Sequence, residues 1–310
     1  MRSVLVTGGA GFIGSNLVLE LQTRHPEAWI VVVDDFRSGH FSNLEGFRGD
    51  CIATNMAELD LSKRFRDGAF DAIFHLASIT DTTDHDQKRQ VHDNVEGFRN
   101  ILDWASHDQT PVVYASSAAT YGKAQSVMTE ETEASPQNVY AFSKVQLDNL
   151  ARYYHQQHPA WKIVGLRYFN VFGPREAHKR HASSMIYQLF QQMKAGKRPR
   201  IFTDGEQRRD FVYVKDVVEA TILSLMAPDA RIYNVGSGES ASFNQMVAAL
   251  NRSLGTQLEA EYFENPYPFY QNFTQADISL AQKELNYQPA FNLDRGISDY
   301  VDWLQKETSS

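Results

Sequence analysis

A short apolar segment, Val4-Leu-Val-Thr7, runs without a break into Gly8-Gly-Ala-Gly11-Phe-Ile-Gly14, and a helix-period segment begins directly behind it. Three glycines so spaced, between a strand and a helix, leave few folds open. They permit a tight turn, let backbone amides approach a pyrophosphate, and allow the helix to pack closely on the strand. Gly8, Gly11 and Gly14 therefore read as the phosphate loop of a dinucleotide site. Asp34 ends the next predicted strand, 20 residues beyond Gly14, where a carboxylate accepts hydrogen bonds from an adenosine ribose. That position favours NAD. Arg37 and His40 follow at once, however, and a guanidinium there could pair with the 2′-phosphate of NADP. The charges alone leave both cofactors open.

Short Val/Ile/Leu-rich segments alternate with longer helix-period segments through the first half, the signature of a parallel sheet covered on both faces. Strands are predicted at Val4–Thr7, Trp29–Asp34, Cys51–Thr54, Ala72–His75, Val112–Ala115 and Ile163–Arg167, and helices at Ile13–Thr23, Lys88–Ser106 and Val139–His158. The fold class is α/β, a doubly wound parallel (Rossmann) sheet with a smaller mixed α/β substrate-binding lobe. Its ligand is expected beyond the C-terminal ends of the strands. After Gly173-Pro174 the pattern is less regular, with helices predicted near Ser183–Lys194, Val214–Leu225, Phe243–Leu254 and Leu293–Gln305. Residues 1–172 with part of 210–240 are assigned to the NAD(P)-binding domain, and residues 173–209 and 241–310 to the lobe.

Composition narrows the function classes. A net charge of −8 argues against a nucleic-acid surface, which needs a basic face. No apolar run approaches the roughly 18 residues of a membrane span, and the N-terminus meets glycines before a signal-peptide core could form, so a cytoplasmic protein is expected. The single cysteine, Cys51, excludes an intramolecular disulfide and a cysteine-based metal cluster; its apolar neighbours suggest a packed strand. No His/Cys/Asp cluster has metal-ligand spacing, and no Gly-x-x-x-x-Gly-Lys loop occurs. Local basic groups do occur, at Arg175 to Arg180, at Lys194 to Arg200 and at Arg208-Arg209. Most read as solvated charge; Lys179 and Arg209 read as site residues.

The chemistry is carried by Asn138-Val-Tyr140-Ala-Phe-Ser-Lys144 and by the Ser116-Ser117 pair before it. On a helix, residues four apart share a face, so the Lys144 ammonium can sit near the Tyr140 phenol. A phenol titrates near pH 10 in water, and a close cation brings tyrosinate within reach as a base near neutrality. Such a pair behind a glycine loop describes an enzyme that moves a hydride.

With these residues in place, the chain resembles the extended short-chain dehydrogenase/reductase family over essentially its whole length. The motifs that look like its sugar-nucleotide epimerase branch are Thr7-Gly-Gly-Ala-Gly-Phe-Ile-Gly14, Phe74-His-Leu-Ala77, Asn94, Tyr114-Ala-Ser-Ser-Ala-Ala-Thr-Tyr-Gly122, Arg167-Tyr-Phe-Asn-Val-Phe-Gly-Pro174 and Arg209-Asp-Phe-Val-Tyr213. Within the branch, Pro174-Arg-Glu-Ala-His-Lys179 and Tyr270-Gln-Asn-Phe-Thr-Gln-Ala-Asp277 look most like those members that invert C6″ of an ADP-linked heptose.

The resemblance implies that Ser117 hydrogen-bonds the reacting oxygen, Tyr140 exchanges its proton, Lys144 holds the nicotinamide ribose, and Lys179 is a second acid/base on the opposite face of the sugar. It implies NADP as cofactor, with NAD the alternative. The cofactor would lie against the glycine loop with Phe12 and Ile13, against Asp34, Asp35, Arg37, His40 and Asn55, and against Leu76, Ala77, Ser78, Asn94 and His178. An ADP-sugar would lie against Asn170, Gln188, Phe202, Arg209 and Tyr270. A homo-oligomer and a role in supplying heptose for cell-surface polysaccharide are implied in the same way.

The chain departs from that pattern at Asp35, where relatives often carry asparagine, at Asn55-Met56, where many carry an Asp-Ile or Asp-Leu pair, and at Gln188 in place of histidine. Two carboxylates at Asp34 and Asp35 would repel a 2′-phosphate. Sugar 4,6-dehydration needs an acid and a base just after Ser117, and those positions are Ala118 and Ala119, whose methyls exchange no protons. A sugar-nucleotide 4-epimerase is the main alternative, and a non-catalytic dinucleotide sensor, which would lack Tyr140 or Lys144, a remote one.

Overall fold

A computed structural model describes residues 1–81, 86–123, 126–264 and 272–307. Six strands form in the first half: β1 Ser3–Thr7, β2 Trp29–Asp34, β3 Asp50–Ala53, β4 Ala72–His75, β5 Val112–Ser117 and β6 Ile163–Tyr168. Four shorter ones follow, β7 Asn170–Phe172, β8 Arg200–Phe202, β9 Arg208–Arg209 and β10 Phe211–Tyr213, and then β11 Ile232–Val235. β11 joins the first six in a seven-stranded sheet of order β11-β6-β5-β4-β1-β2-β3. Every pairing in it is parallel. β11 has only four residues between irregular segments, too few to show a period, and parallel pairing to β6 is what recruits it.

The helices of this half are α1 Phe12–Arg24, α2 Gln87–Ala105 and α3 Val139–Gln157, followed by α4 Met185–Lys194, α5 Val214–Leu223, α6 Phe243–Leu254, α7 Ser279–Leu285 and α8 Leu293–Glu307. Alternation of the strand side chains divides the core between the two faces. Val4, Val6, Ile30 and Val32 pack with Leu17, Leu21 and Val217 of α1 and α5. Leu5, Val31, Val33 and Ile73 pack with Phe98, Leu102, Leu147 and Ala151 of α2 and α3. A third cluster, including Phe172, Phe190, Phe243, Leu250, Ile297 and Val301, packs β7 with α4, α6 and α8. Ala276, Ile278, Ala281 and Leu285, assigned to the lobe from sequence, pack into the main core instead, because α7 docks beside β11.

Cys51 lies on a strand as expected but is exposed rather than packed. β3 is the edge of the sheet, and Asp50, Cys51 and Ala53 on it are all exposed. Among the described residues no helix is long and apolar enough to cross a membrane.

One buried ionic network joins the catalytic helix to the sheet. Arg167 of β6 donates to Asp148 of α3 from Nε at 3.2 Å and Nη2 at 2.9 Å, and the Tyr114 hydroxyl of β5 donates to the other Asp148 oxygen at 3.0 Å. The Arg167 and Asp148 side chains are 5% and 1% exposed, and the guanidinium also lies 4.7 Å from the Tyr121 ring centroid. Removing one partner strands the other charge in a dry site, which costs about 3–5 kcal/mol. Asp148→Ala is therefore expected to lose about that much stability in urea unfolding followed by circular dichroism; a loss under ~1 kcal/mol would show that the pair does not anchor α3.

Candidate active site

The C-terminal ends of β1 and β4 meet where the sheet changes winding direction, and a cavity of about 330 Å³ opens there. Its floor is the glycine loop. Gly8 has φ +71°, and a Cβ on it would lie 2.6 Å from the Ala77 nitrogen; one on Gly14 would lie 2.0 Å from the Gly8 carbonyl oxygen. Side chains are thus excluded where the loop, the β4 end and α1 converge. Gly11 caps α1, whose first turn carries no acidic residue, so its amides and positive dipole end are left for an anion.

Asp34 anchors this loop. Its Oδ2 accepts the Ala10 amide at 2.9 Å and its Oδ1 the Phe36 amide at 2.8 Å. Burial pushes its carboxyl up, against those amides. Thr7 Oγ1 ties β1 to β4 through His75 Nδ1 at 2.9 Å and the Ala77 amide at 3.2 Å. Burial, with the Lys144 charge, holds the His75 imidazole down to about 3, hence neutral.

Ser117, Tyr140, Lys144 and Lys179 all line this one cavity. Asn138 caps α3 by accepting the Ala141 amide at 2.8 Å, which starts the helix just before Tyr140. Ser117 hydrogen-bonds the Tyr140 phenol and accepts the Ala119 amide at 3.1 Å. Lys144, 2% exposed, donates to the Ala115 carbonyl at 2.8 Å, and its Nζ is 5.7 Å from the Tyr140 ring centroid. Burial pushes the Lys144 ammonium down to about 7, against the pull of Asp148. The phenol is not lowered as the sequence spacing suggests. Burial pushes it up, with only the Ser117 hydrogen bond opposing, while Lys144 directs a hydrogen bond to the Ala115 carbonyl.

Lys179 enters from the segment after Gly173, its Nζ 5.7 Å from the Phe12 ring centroid. Burial lowers its ammonium, partly opposed by Glu176. Glu176, wholly buried, accepts the Gly173 amide at 3.2 Å and the Ser184 amide at 2.5 Å, closing the segment into a clasp. His178 Nδ1 meets the Asn43 side chain at 2.9 Å, and Asn43 donates to the Ala10 carbonyl at 3.0 Å.

Phe12, Ile13, Asp35, Arg37, Asn55, Leu76, Ala77, Ser78, Asn94 and His178 line the cavity as well. Asn94 nevertheless spends its amide on Ile79 and Ser143, bracing the β4 loop to α3. His40 lies outside the lining: its ring bonds the Ser42 hydroxyl at 2.7 Å, and only its amide meets the loop, at Ala10.

Asn170, Gln188, Phe202 and Arg209 do not line this cavity. Asn170 donates to the Asp210 carbonyl and Thr274, Gln188 to the carbonyls of His181 and Ser183, Arg209 to the Arg208 carbonyl, and Phe202 packs on Phe263. Tyr270 lies outside the described residues. Sequence reasoning named Ser116 only as the partner of Ser117 and missed Asp93 and Asn43; Asp93 had a signal in standing beside Asn94.

The residues present fit a dinucleotide. The loop is bare, the α1 amides are uncontested, and the buried Ser116 Oγ at the cavity wall has no hydrogen-bond partner among the described residues. Lys144 also makes stability depend on pH. Its folded pKa of about 7 lies below its ordinary 10.5, so burying the charge costs its full amount below pH 7, and the cost fades as pH rises toward 10.5. Lys144→Met is expected to gain on the order of 4 kcal/mol relative to wild type at pH 6 over what it shows at pH 10, less any lost hydrogen bond. Urea unfolding across that range checks this, and a flat difference would mean the ammonium is not desolvated.

The chain is similar over its length to proteins of known kind. It is 38% identical to an ADP-L-glycero-D-manno-heptose-6-epimerase of Alkalilimnicola ehrlichii, over 96% of each chain. The crystal structure of the Helicobacter pylori ADP-L-glycero-D-manno-heptose-6-epimerase superposes with a TM-score of 0.91 at 39% identity, covering 98% of this chain and 96% of that one. A UDP-glucose 4-epimerase of Thermotoga maritima superposes with a TM-score of 0.90 at 26% identity, over 99% and 100%. The NAD dependent epimerase/dehydratase family model matches residues 4–236, and with a parallel sheet, a bare glycine loop and the Ser117–Tyr140–Lys144 group in one cavity, this chain belongs to that family.

Proposed function

We propose that the protein is an epimerase that inverts C6″ of ADP-D-glycero-D-manno-heptose to give ADP-L-glycero-D-manno-heptose through a transient 6″-ketone. The observation that carries the reading is that Lys179 shares one cavity with Ser117 and Tyr140, supported by identities of 38–39% to heptose 6-epimerases over nearly the whole chain.

The bound oxidised nicotinamide supplies the hydride acceptor, and in its reduced form the donor. The cofactor is NADP, as the resemblance implies, or NAD; the glycine loop and the α1 amides hold its pyrophosphate and Asp34 its adenosine ribose. Lys144 holds the nicotinamide ribose and fixes α3 against the Ala115 carbonyl. Ser117 hydrogen-bonds the reacting C6″ oxygen. Inversion requires a proton to leave that oxygen in one pose and return in another, after rotation about the C5″–C6″ bond. Tyr140 and Lys179 divide this work. Burial keeps the phenol protonated and pushes the amine toward its neutral form, so the pair offers an acid and a base at once. The resemblance assigns the part of the ADP-sugar that extends beyond the cavity to Asn170, Gln188, Phe202, Arg209 and Tyr270, with Arg209 suited by its fork to the pyrophosphate. The protein works as a homo-oligomer, with no net redox change per cycle.

Proton NMR of ADP-D-glycero-β-D-manno-heptose incubated with the purified protein and cofactor is expected to show the L-glycero epimer accumulate to equilibrium. An unchanged spectrum, with turnover of a UDP-sugar in its place, would assign a 4-epimerase. Tyr140→Phe and Lys179→Met are each expected to lower kcat by roughly 100-fold or more, with native circular dichroism. Full activity in both variants would refute the two-residue proton exchange.

A further inference from the structure

Arg37 lies on the turn after β2, three residues from Asp34, the carboxylate assigned above to the adenosine ribose. Both its terminal nitrogens are taken. Nη2 pairs with Asp35 at 2.8 Å and Nη1 with Asp93 at 2.6 Å. Asp93 comes from α2, far along the chain, and its side chain is only 11% exposed. His92 Nδ1 at 3.1 Å and the Asn55 side chain hold the same carboxylate. Arg37 reaches it because Phe36, at φ +56°, turns the chain out of strand geometry, its amide fixed to Asp34. Asp34, Asp35, Arg37, Asn55 and Asp93 all line the cavity.

A 2′-phosphate is recognised by a guanidinium fork through two parallel N–H donors. Here that fork already serves two carboxylates. To bind the phosphate, Arg37 would have to leave them, setting Asp35 and Asp93 unneutralised beside a dianion. The local count is three carboxylates, Asp34 included, against one guanidinium. The cavity's buried cations do not help: Lys144 sits at the end of β5, three strand spacings from β2, roughly 14 Å away, and Lys179 is at the catalytic end. A 2′-hydroxyl, by contrast, donates to a carboxylate and carries no charge.

We infer that Asp93, acting through Arg37 together with Asp35, is a positioning residue that makes this protein select NAD against NADP. This reverses the cofactor implied by the family resemblance, and it rests on the dinucleotide reading of the cavity, not on the sugar chemistry.

The test is calorimetric titration of the charcoal-stripped full-length protein with NAD and, separately, with NADP. Wild type is expected to bind NAD roughly ten-fold or more tightly than NADP. Asp93→Asn is expected to shrink that ratio at least about five-fold, mainly by strengthening NADP, as it frees one arm of the fork. In an Arg37→Gln background the same substitution should leave the ratio unchanged, which separates an effect through the guanidinium from simple loss of a negative charge. If Asp93→Asn does not fold, Asp35→Asn removes the other carboxylate and is expected to shift the ratio the same way. Tighter NADP binding by wild type, or an unmoved ratio in the variant that folds, overturns the inference. No sugar nucleotide enters these titrations, so failure of the C6″ assignment would leave their outcome intact, and failure here would leave that assignment standing.

Discussion

The site depends first on a steric constraint: backbone at Gly8 and Gly14 packs so closely that a single added carbon would lie 2.0–2.6 Å from another main-chain atom. That closeness brings the N-terminus of α1 to the ends of β1 and β4. The cavity is the space left in front. Asp34, from the neighbouring strand, then fixes the loop by accepting its Ala10 amide, and Asn43 fixes it again by donating to the Ala10 carbonyl. Bare backbone would be floppy without such ties, because glycine has the most conformational entropy to lose.

A second set of constraints delivers the reacting groups. The Asp148–Arg167–Tyr114 network fixes α3 against β5 and β6, so that Tyr140 and Lys144 face Ser117 at the end of β5. The Glu176 clasp brings Lys179 to the same space on a short 3-10 helix, Ala177–Ala182, between β7 and α4. Both anchors are buried and fully engaged carboxylates, which hold geometry better than solvent-exposed pairs would. Burial does the electrostatic work as well: it raises the phenol and lowers both lysines.

Much of this was written in the chain's local order. The glycine loop, the acid at the end of β2, the alternation of strands and helices, and the four-residue step from Tyr140 to Lys144 are all short-range patterns, legible because period and spacing are fixed by backbone geometry. The sequence also pointed to Lys179, through a local motif, before any contact was visible.

Tertiary structure decided what depends on distance along the chain. That the Tyr140 phenol is raised, not lowered, follows from its burial. That β11 joins the main sheet, that α7 packs beside it, and that Cys51 is exposed on an edge strand follow from strand order, which no local pattern encodes. Asp93 meets Arg37 across 56 residues, and Asn43 meets His178 across 135. The sequence by itself determined the fold class and the kind of chemistry, because these rest on periodicity and on residue type at fixed spacing. Charge balance and proton affinity at the site were decided only in three dimensions, because they depend on what is buried next to what.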